Sequence, residues 1–82
     1  MEDKYVRHKI TQGLLELMRE NDFHSITVTM IVRRSEVGRA SFYRNFDSKE
    51  DVIHQHMTRL LKEWSQEYET LGKLEELLPS NT

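Results

Sequence analysis

The chain has 82 residues, no cysteine and a formal net charge of −2. A chain of this length forms one domain at most, and without cysteine it has neither a disulfide nor a thiolate metal site to support its small core. No apolar run approaches the roughly 18 residues that a membrane span requires, and no apolar stretch follows the basic residues near the N-terminus. We therefore expect a cytoplasmic protein without a membrane anchor or a leader.

Positive charge is concentrated in the middle of the chain. Residues 1–26 carry four Lys or Arg against five Asp or Glu, and residues 51–82 carry three against six. Residues 27–50 instead carry five basic residues against three acidic ones. The net acidity alone argues against a nucleic-acid-binding chain, whereas this local basic excess permits one.

Two helices are predicted in the first half of the chain. The first covers about 4–21, and its apolar residues recur at steps of three and four, the spacing of one helix face: Val6, Ile10, Leu14, Leu17 and Met18. A short second helix covers about 28–34, with Thr27 as its N-cap and the polar residues Ser35 and Glu36 at its end.

The predicted third helix covers about 39–45 and begins after Gly38. Phe42 and Phe46 are four residues apart and therefore lie on the same face of this helix. At about 100° per residue, the opposite arc carries the side chains that are left for a partner: Ala40, Ser41, Tyr43 and Arg44. Small side chains allow a helix to lie deep in a DNA major groove, and an arginine there can bind guanine or phosphate.

The predicted fourth helix is long and covers about 49–70. Ser48 and Asp51 have the spacing of a capping box at its start. Its apolar stripe extends further than three short helices can cover: Val52, Ile53, Met57, Leu60, Leu61, Trp64, Tyr68 and Leu71. Gly72 is expected to interrupt this helix, so that the tail before Pro79 would begin a fifth one.

The order of these elements predicts an all-α fold. Two short helices joined by a tight turn, with a longer helix before and after them, form a three-helix, homeodomain-like helix-turn-helix head followed by a long connecting helix 4. Such a head is a reader of double-stranded DNA, and its second short helix is the one that enters the groove.

One segment resembles the TetR family of transcriptional regulators: ITVTMIVRRSEVGRASFYRNFDSKEDVI, residues 26–53. It has that family's Thr-initiated helix, turn, aromatic-Tyr-x-x-Phe recognition helix and Ser-Lys-Glu-Asp start of the connecting helix, in order and at fixed spacing. The likeness covers about 10–57. Glu36 departs from the pattern, because the family usually has a glycine in this turn. A residue with a side chain there has to accept a positive φ or a slightly different turn.

Eight residues are candidates for DNA binding, and the resemblance implies the role of seven of them. The positions that contact bases would be Arg39, Ala40, Ser41 and Arg44. The positions that contact phosphates would be Thr27, Tyr43 and Lys49, and Asn45, which flanks the outer arc of helix 3, is expected to contact a phosphate as well. A cation in the first turn of a helix is electrostatically unfavourable, and a DNA phosphate would supply a reason for Lys49.

The resemblance also implies a function, that of a ligand-responsive repressor in the bacterial cytoplasm that reads a palindromic operator as a homodimer. Residues 1–50 would be the DNA-binding domain. Residues 51–82 would be the connecting helix and the start of a C-terminal domain that dimerises and binds a small-molecule effector. Because that domain needs on the order of 100 further residues, we expect the chain to be a fragment, and a naturally short form is the alternative that stays open.

An enzyme and a protein-binding adaptor are the alternatives. His54 and His56 are two residues apart and point to nearly opposite sides of a helix, unlike metal ligands at i, i+4. The sequence has no glycine-rich phosphate loop and no cysteine nucleophile. We therefore expect no catalysis, no metal and no other cofactor. A small helical adaptor stays open, since the stripe on the fourth helix offers a surface to a protein partner.

Overall fold

The computed structural model describes residues 2–77, and side chains for residues 3–73. Within that range the chain is all-α, with no strand, as the helical periodicity predicts. The elements follow in the order α1 (Glu2–Met18), a 3₁₀ turn (Phe23–Ser25), α2 (Val28–Ser35), α3 (Arg39–Asn45) and α4 (Lys49–Leu77). The bounds predicted for α2 and α3 are confirmed to within one residue.

The first helix ends earlier than predicted, at Met18. The backbone N–H groups of Glu20 and Asn21 both donate to the carbonyl oxygen of Leu17, at 3.1 and 2.9 Å, so the chain turns there. The side-chain amide of Asn21 donates to the same oxygen at 3.0 Å. This turn leaves Met18 exposed, although the periodicity assigned it to the buried face.

One hydrophobic core joins α1, α2, α3 and the first turn of α4. Its buried side chains are Ile10, Leu14, Leu17, Ile26, Ile31, Phe42, Phe46 and Val52. The members from α1 are spaced by three and four residues, so the predicted apolar face of this helix is the buried one. Phe42 is fully buried, and this anchors α3 at the centre of the head.

The helices α1 and α2 approach each other closely at Gly13. A Cβ atom at this position would lie 2.2 Å from the hydroxyl oxygen of Ser35, so only a residue without a side chain fits unless Ser35 moves. Two ion pairs lie beside this contact, because Arg34 of α2 binds Glu16 at 3.2 Å and Glu20 at 3.5 Å. The packing of α2 on α1 sets the position of the turn that leads into α3.

The turn between α2 and α3 places Glu36 in the left-handed region, with φ 58° and ψ 40°. The Glu36 N–H donates to the carbonyl of Arg33 at 3.3 Å, and the Val37 N–H donates to that of Val32 at 3.1 Å. These two bonds form a Schellman motif, whose left-handed position is usually glycine. Of the two outcomes expected for Glu36, the chain adopts the positive φ.

The fourth helix begins with the predicted cap. The Asp51 N–H donates to the Ser48 hydroxyl oxygen at 3.1 Å. The Asp51 carboxylate accepts in return from the Asp47 N–H at 2.9 Å, one residue before the cap. This exchange fixes the direction in which α4 leaves the head.

The expectation that Gly72 interrupts the fourth helix is wrong. The helix α4 has 29 residues and continues through Gly72 to Leu77, so no fifth helix begins in this part of the chain. A glycine inside a helix costs only about 0.5–1 kcal/mol, and strong helix formers follow it here. The predicted end at Pro79 lies outside the described residues. Among the described helices, none has the length and hydropathy needed to cross a bilayer.

Candidate nucleic-acid interface

The third helix has one face fixed in the core. Phe42 is fully buried and Phe46 is 3% exposed, and their ring centroids lie 5.9 Å apart. The prediction that this aromatic pair forms the buried face is confirmed. Since a seven-residue helix has two turns, its remaining side chains lie on the opposite, outer face or along its edges.

The predicted base-contacting residues lie on this outer face. Arg39, Ala40 and Arg44 are exposed, and Ser41 is half-buried. The Arg39 guanidinium donates to the hydroxyl of Thr29, so α2 orients this arginine. Small side chains at the first turn of α3 leave its backbone accessible, and Arg44 extends from its last turn.

Two predicted phosphate-contacting residues, Thr27 and Tyr43, are exposed. The Thr27 hydroxyl accepts from the Met30 N–H at 3.1 Å, so the predicted N-cap is confirmed, and the side chain is exposed. The Tyr43 ring packs edge-on against Phe42, with centroids 5.1 Å apart, and half of the Tyr43 residue surface is exposed. Both hydroxyl groups are placed where a second partner can reach them, and their contacts with phosphate stay predictions.

Asn45 is more enclosed than its predicted role suggests. Its side-chain amide donates to the carbonyl of Ser41 at 2.8 Å, and its own carbonyl accepts from the Gln55 amide at 3.4 Å. These bonds close the end of α3 and connect it to α4. One amide hydrogen of Asn45 is therefore used within the protein, and its contact with phosphate stays a prediction.

Lys49 has partners inside the protein. Its ammonium group donates to the carbonyl oxygens of Phe23 at 2.6 Å and Ile26 at 2.8 Å. It also lies 4.5 Å from the centroid of the Phe23 ring. These contacts fasten the start of α4 to the segment before α2, and they explain a cation in the first turn of α4 without DNA. Since an ammonium has three N–H donors, one is left for a phosphate, and that contact stays a prediction.

The start of α1 borders the outer face of α3, a contact that the sequence pattern does not predict. A groove of about 330 Å³ lies between them and is lined by Asp3, Tyr5, Val6, Ser41, Arg44 and Asn45. Helical periodicity identifies the core face of α1 but does not say which neighbour its first turn meets. The sequence signal for this groove is an aromatic residue near the start of the chain, Tyr5, whose ring is exposed in the structure.

The surface around α3 carries positive charge without carboxylate partners. Arg33, Arg39 and Arg44 are all exposed. Within residues 3–73 the ion pairs all involve Arg34, so no carboxylate lies within 4 Å of those three guanidinium groups. Exposed guanidinium groups that are not ion-paired attract a polyanion such as DNA. No group of three or more His, Asp or Glu that is suited to a metal occurs in the same range.

Comparison with known proteins agrees with this geometry. The sequence profile of bacterial regulatory proteins, tetR family, matches residues 10–55, which is more than half of the chain. No curated protein and no solved structure matches significantly. The matched range contains every buried residue of the core, from Ile10 to Val52. The chain therefore belongs to the TetR family of bacterial regulatory proteins and carries that family's helix-turn-helix DNA-binding domain.

Proposed function

We propose that this chain is the DNA-reading part of a ligand-responsive repressor, with α3 in the major groove of one operator half-site. The observation that carries this proposal is the two-sided character of α3. Two buried phenyl rings hold one face in the core, while small and basic side chains occupy the outer face. A helix with such a face fits a major groove about 12 Å wide.

The proposed contacts divide into two classes. Arg39, Ala40, Ser41 and Arg44 contact bases, and Thr27, Tyr43, Asn45 and Lys49 contact phosphates. Base contacts carry sequence preference, whereas phosphate contacts fix the position of the protein on the duplex. The exposure of Arg44 at the end of α3 supports it as the main source of base preference.

The proposed mechanism requires two copies of the head. Residues 1–50 form the DNA-binding domain, and residues 51–82 form the connecting helix and the start of a C-terminal domain that dimerises and binds the effector. Two α3 helices then lie about one DNA turn apart and read a palindrome. The effector moves each α4 and changes this spacing, which shifts the population away from the DNA-binding state. Lys49 couples the two parts, since it joins α4 to the segment before α2.

Replacing Arg44 tests the base-reading role. An operator is first selected from randomised palindromic DNA, and binding is then measured by electrophoretic shift. We expect Arg44→Ala to weaken binding by about 1–3 kcal/mol and to relax the preference at one base pair. Tyr43→Phe should weaken binding to all sequences alike, because a phosphate contact carries no sequence information. Arg19→Ala, which removes an exposed charge far from α3 in the chain, is the control. Unchanged affinity and preference in Arg44→Ala would contradict this role.

A protein-binding adaptor is the second candidate function. The observation that favours it is the exposed apolar stripe of α4: Met57, Leu61, Trp64, Tyr68 and Leu71. Residues at such spacing form one face that a partner helix can cover. The two functions separate in the same binding assay, because an adaptor without a DNA role selects no sequence from the randomised pool.

A further inference from the structure

A second basic surface lies away from the outer face of α3, in a groove between α1 and α4. The groove encloses about 400 Å³, within the range of small-ligand sites. Its basic and polar lining includes Arg7 from α1 and His54, Gln55, His56, Arg59 and Lys62 from α4. The side chain of Phe46 forms an apolar part of the wall. We call this the α1–α4 groove.

The charges that line the α1–α4 groove have one sign. Arg7, Arg59 and Lys62 contribute three cations, and none of the lining residues is an acid. The described part of the chain gives these cations no carboxylate within 4 Å, since its ion pairs all involve Arg34. This is notable because the chain is acidic overall, with 14 Asp and Glu against 12 Lys and Arg. Cations that converge on one cavity repel each other unless an anion accompanies them.

The two arginines of the groove are held in place by protein contacts. Arg7 donates to the side-chain oxygen of Gln55 and lies 5.8 Å from the centroid of the Phe46 ring. Arg59 lies 2.9 Å from the ring nitrogen of His56. Lys62 follows Arg59 by three residues and therefore lies on the same side of α4. Charged groups that are already oriented lose less entropy when they bind a ligand.

We infer that the α1–α4 groove binds a phosphate-bearing ligand. Arginine presents a planar fork of N–H donors that matches phosphate oxygens, and lysine adds a point charge. One carboxylate carries a single negative charge and cannot neutralise three cations, whereas a polyphosphate carries several negative charges. Two sources supply such groups: a small free polyphosphate, or the backbone of a DNA duplex that extends beyond the end of α3. The second source is considered because Phe46, which caps the end of α3, also lines the groove. The inference does not rest on base reading by α3, because the binding of pyrophosphate is measured in the absence of DNA.

A double substitution tests the inference in the full chain. Arg59→Ala/Lys62→Ala removes two exposed cations from α4, and alanine is the best helix former, so the fold should persist. The matched control, Arg19→Ala/Lys73→Ala, removes the same charge from exposed positions outside the groove. Circular dichroism checks that both variants are as helical as the parent chain. Pyrophosphate is then titrated into each protein by calorimetry, and DNA binding is measured over a range of salt concentrations.

Two outcomes support the inference and identify the source. If the ligand is free, the groove variant binds pyrophosphate at least 10-fold more weakly than the parent and the control, with an unchanged salt dependence of DNA binding. If the ligand is DNA, the slope of log K against log salt becomes shallower by about 0.9 per lost phosphate contact in the groove variant alone. The inference is overturned if neither quantity changes, or if the control variant changes as much as the groove variant.

Discussion

The head and the distal half of α4 differ in what covers their apolar residues. In the head, α1, α2, α3 and the start of α4 each bury side chains in one shared core. Along α4, every side chain from 61 to 73 is exposed. Trp64 and Tyr68 are 70% and 79% exposed, although their spacing is as regular as that of the buried residues of α1. Helical periodicity thus identifies an apolar face, but only tertiary structure shows whether that face has a partner.

The largest effect should come from removing an aromatic ring from the head rather than from α4. Phe42→Ala should lower the free energy of unfolding by about 3–5 kcal/mol, because it leaves a cavity in a small core. Trp64→Ala removes a larger side chain, yet it should change stability by less than about 0.5 kcal/mol, since Trp64 packs against little. Urea unfolding followed by circular dichroism measures both variants. If the two variants lost equal amounts of unfolding free energy, the apolar stripe on α4 would have to be covered in solution.

A second contrast concerns two lysines of α4. Lys49→Met should lower the free energy of unfolding by about 1–3 kcal/mol, because it breaks two charged hydrogen bonds to partly buried backbone carbonyl groups. Lys73→Met, at an exposed position of the same helix, should leave stability nearly unchanged. Thermal unfolding in the absence of DNA gives both values. If Lys49→Met is as stable as the parent and only weakens DNA binding, then its role is phosphate contact alone.

The smallest effects on stability should come from two substitutions, one that introduces a glycine and one that removes a glycine. Glu36→Gly should raise the free energy of unfolding by about 1 kcal/mol, since it relieves the cost of a side chain at positive φ. Gly72→Ala should raise it by about 0.5–1 kcal/mol, because a Cβ there meets nothing within 4 Å and alanine favours the helix. Chemical denaturation compares the two variants with the parent chain. A loss of stability in Glu36→Gly would show that the Glu36 side chain compensates for its strained backbone.

Much of the head follows from local patterns in the sequence. The spacing of Phe42 and Phe46 identifies the buried face of α3, and Thr27 and Ser48 mark where two helices begin. These features depend on neighbours within four residues, so a sequence displays them directly. Glu36 is an intermediate case, because the family resemblance left two outcomes open, a positive φ or a different turn, and the structure shows the positive φ.

The features that the sequence did not reveal depend on distant neighbours or on competing effects. The carbonyl partners of Lys49 lie 26 and 23 residues away along the chain, so no local pattern identifies them. The groove beside Tyr5 requires the packing of α1 against α3. At Gly72 two effects compete, and the helix-forming residues after it outweigh the cost of one glycine.

The most direct test of DNA reading by α3 is a nuclear magnetic resonance titration of the chain with a duplex selected from randomised DNA. Each backbone amide reports its own surroundings, so all surfaces of the protein are compared in one experiment. We expect the largest shifts at Thr27 and in residues 39–45, and small shifts along the stripe of α4 from Met57 to Leu71. Shifts confined to that stripe, with residues 39–45 unchanged, would contradict DNA reading by α3.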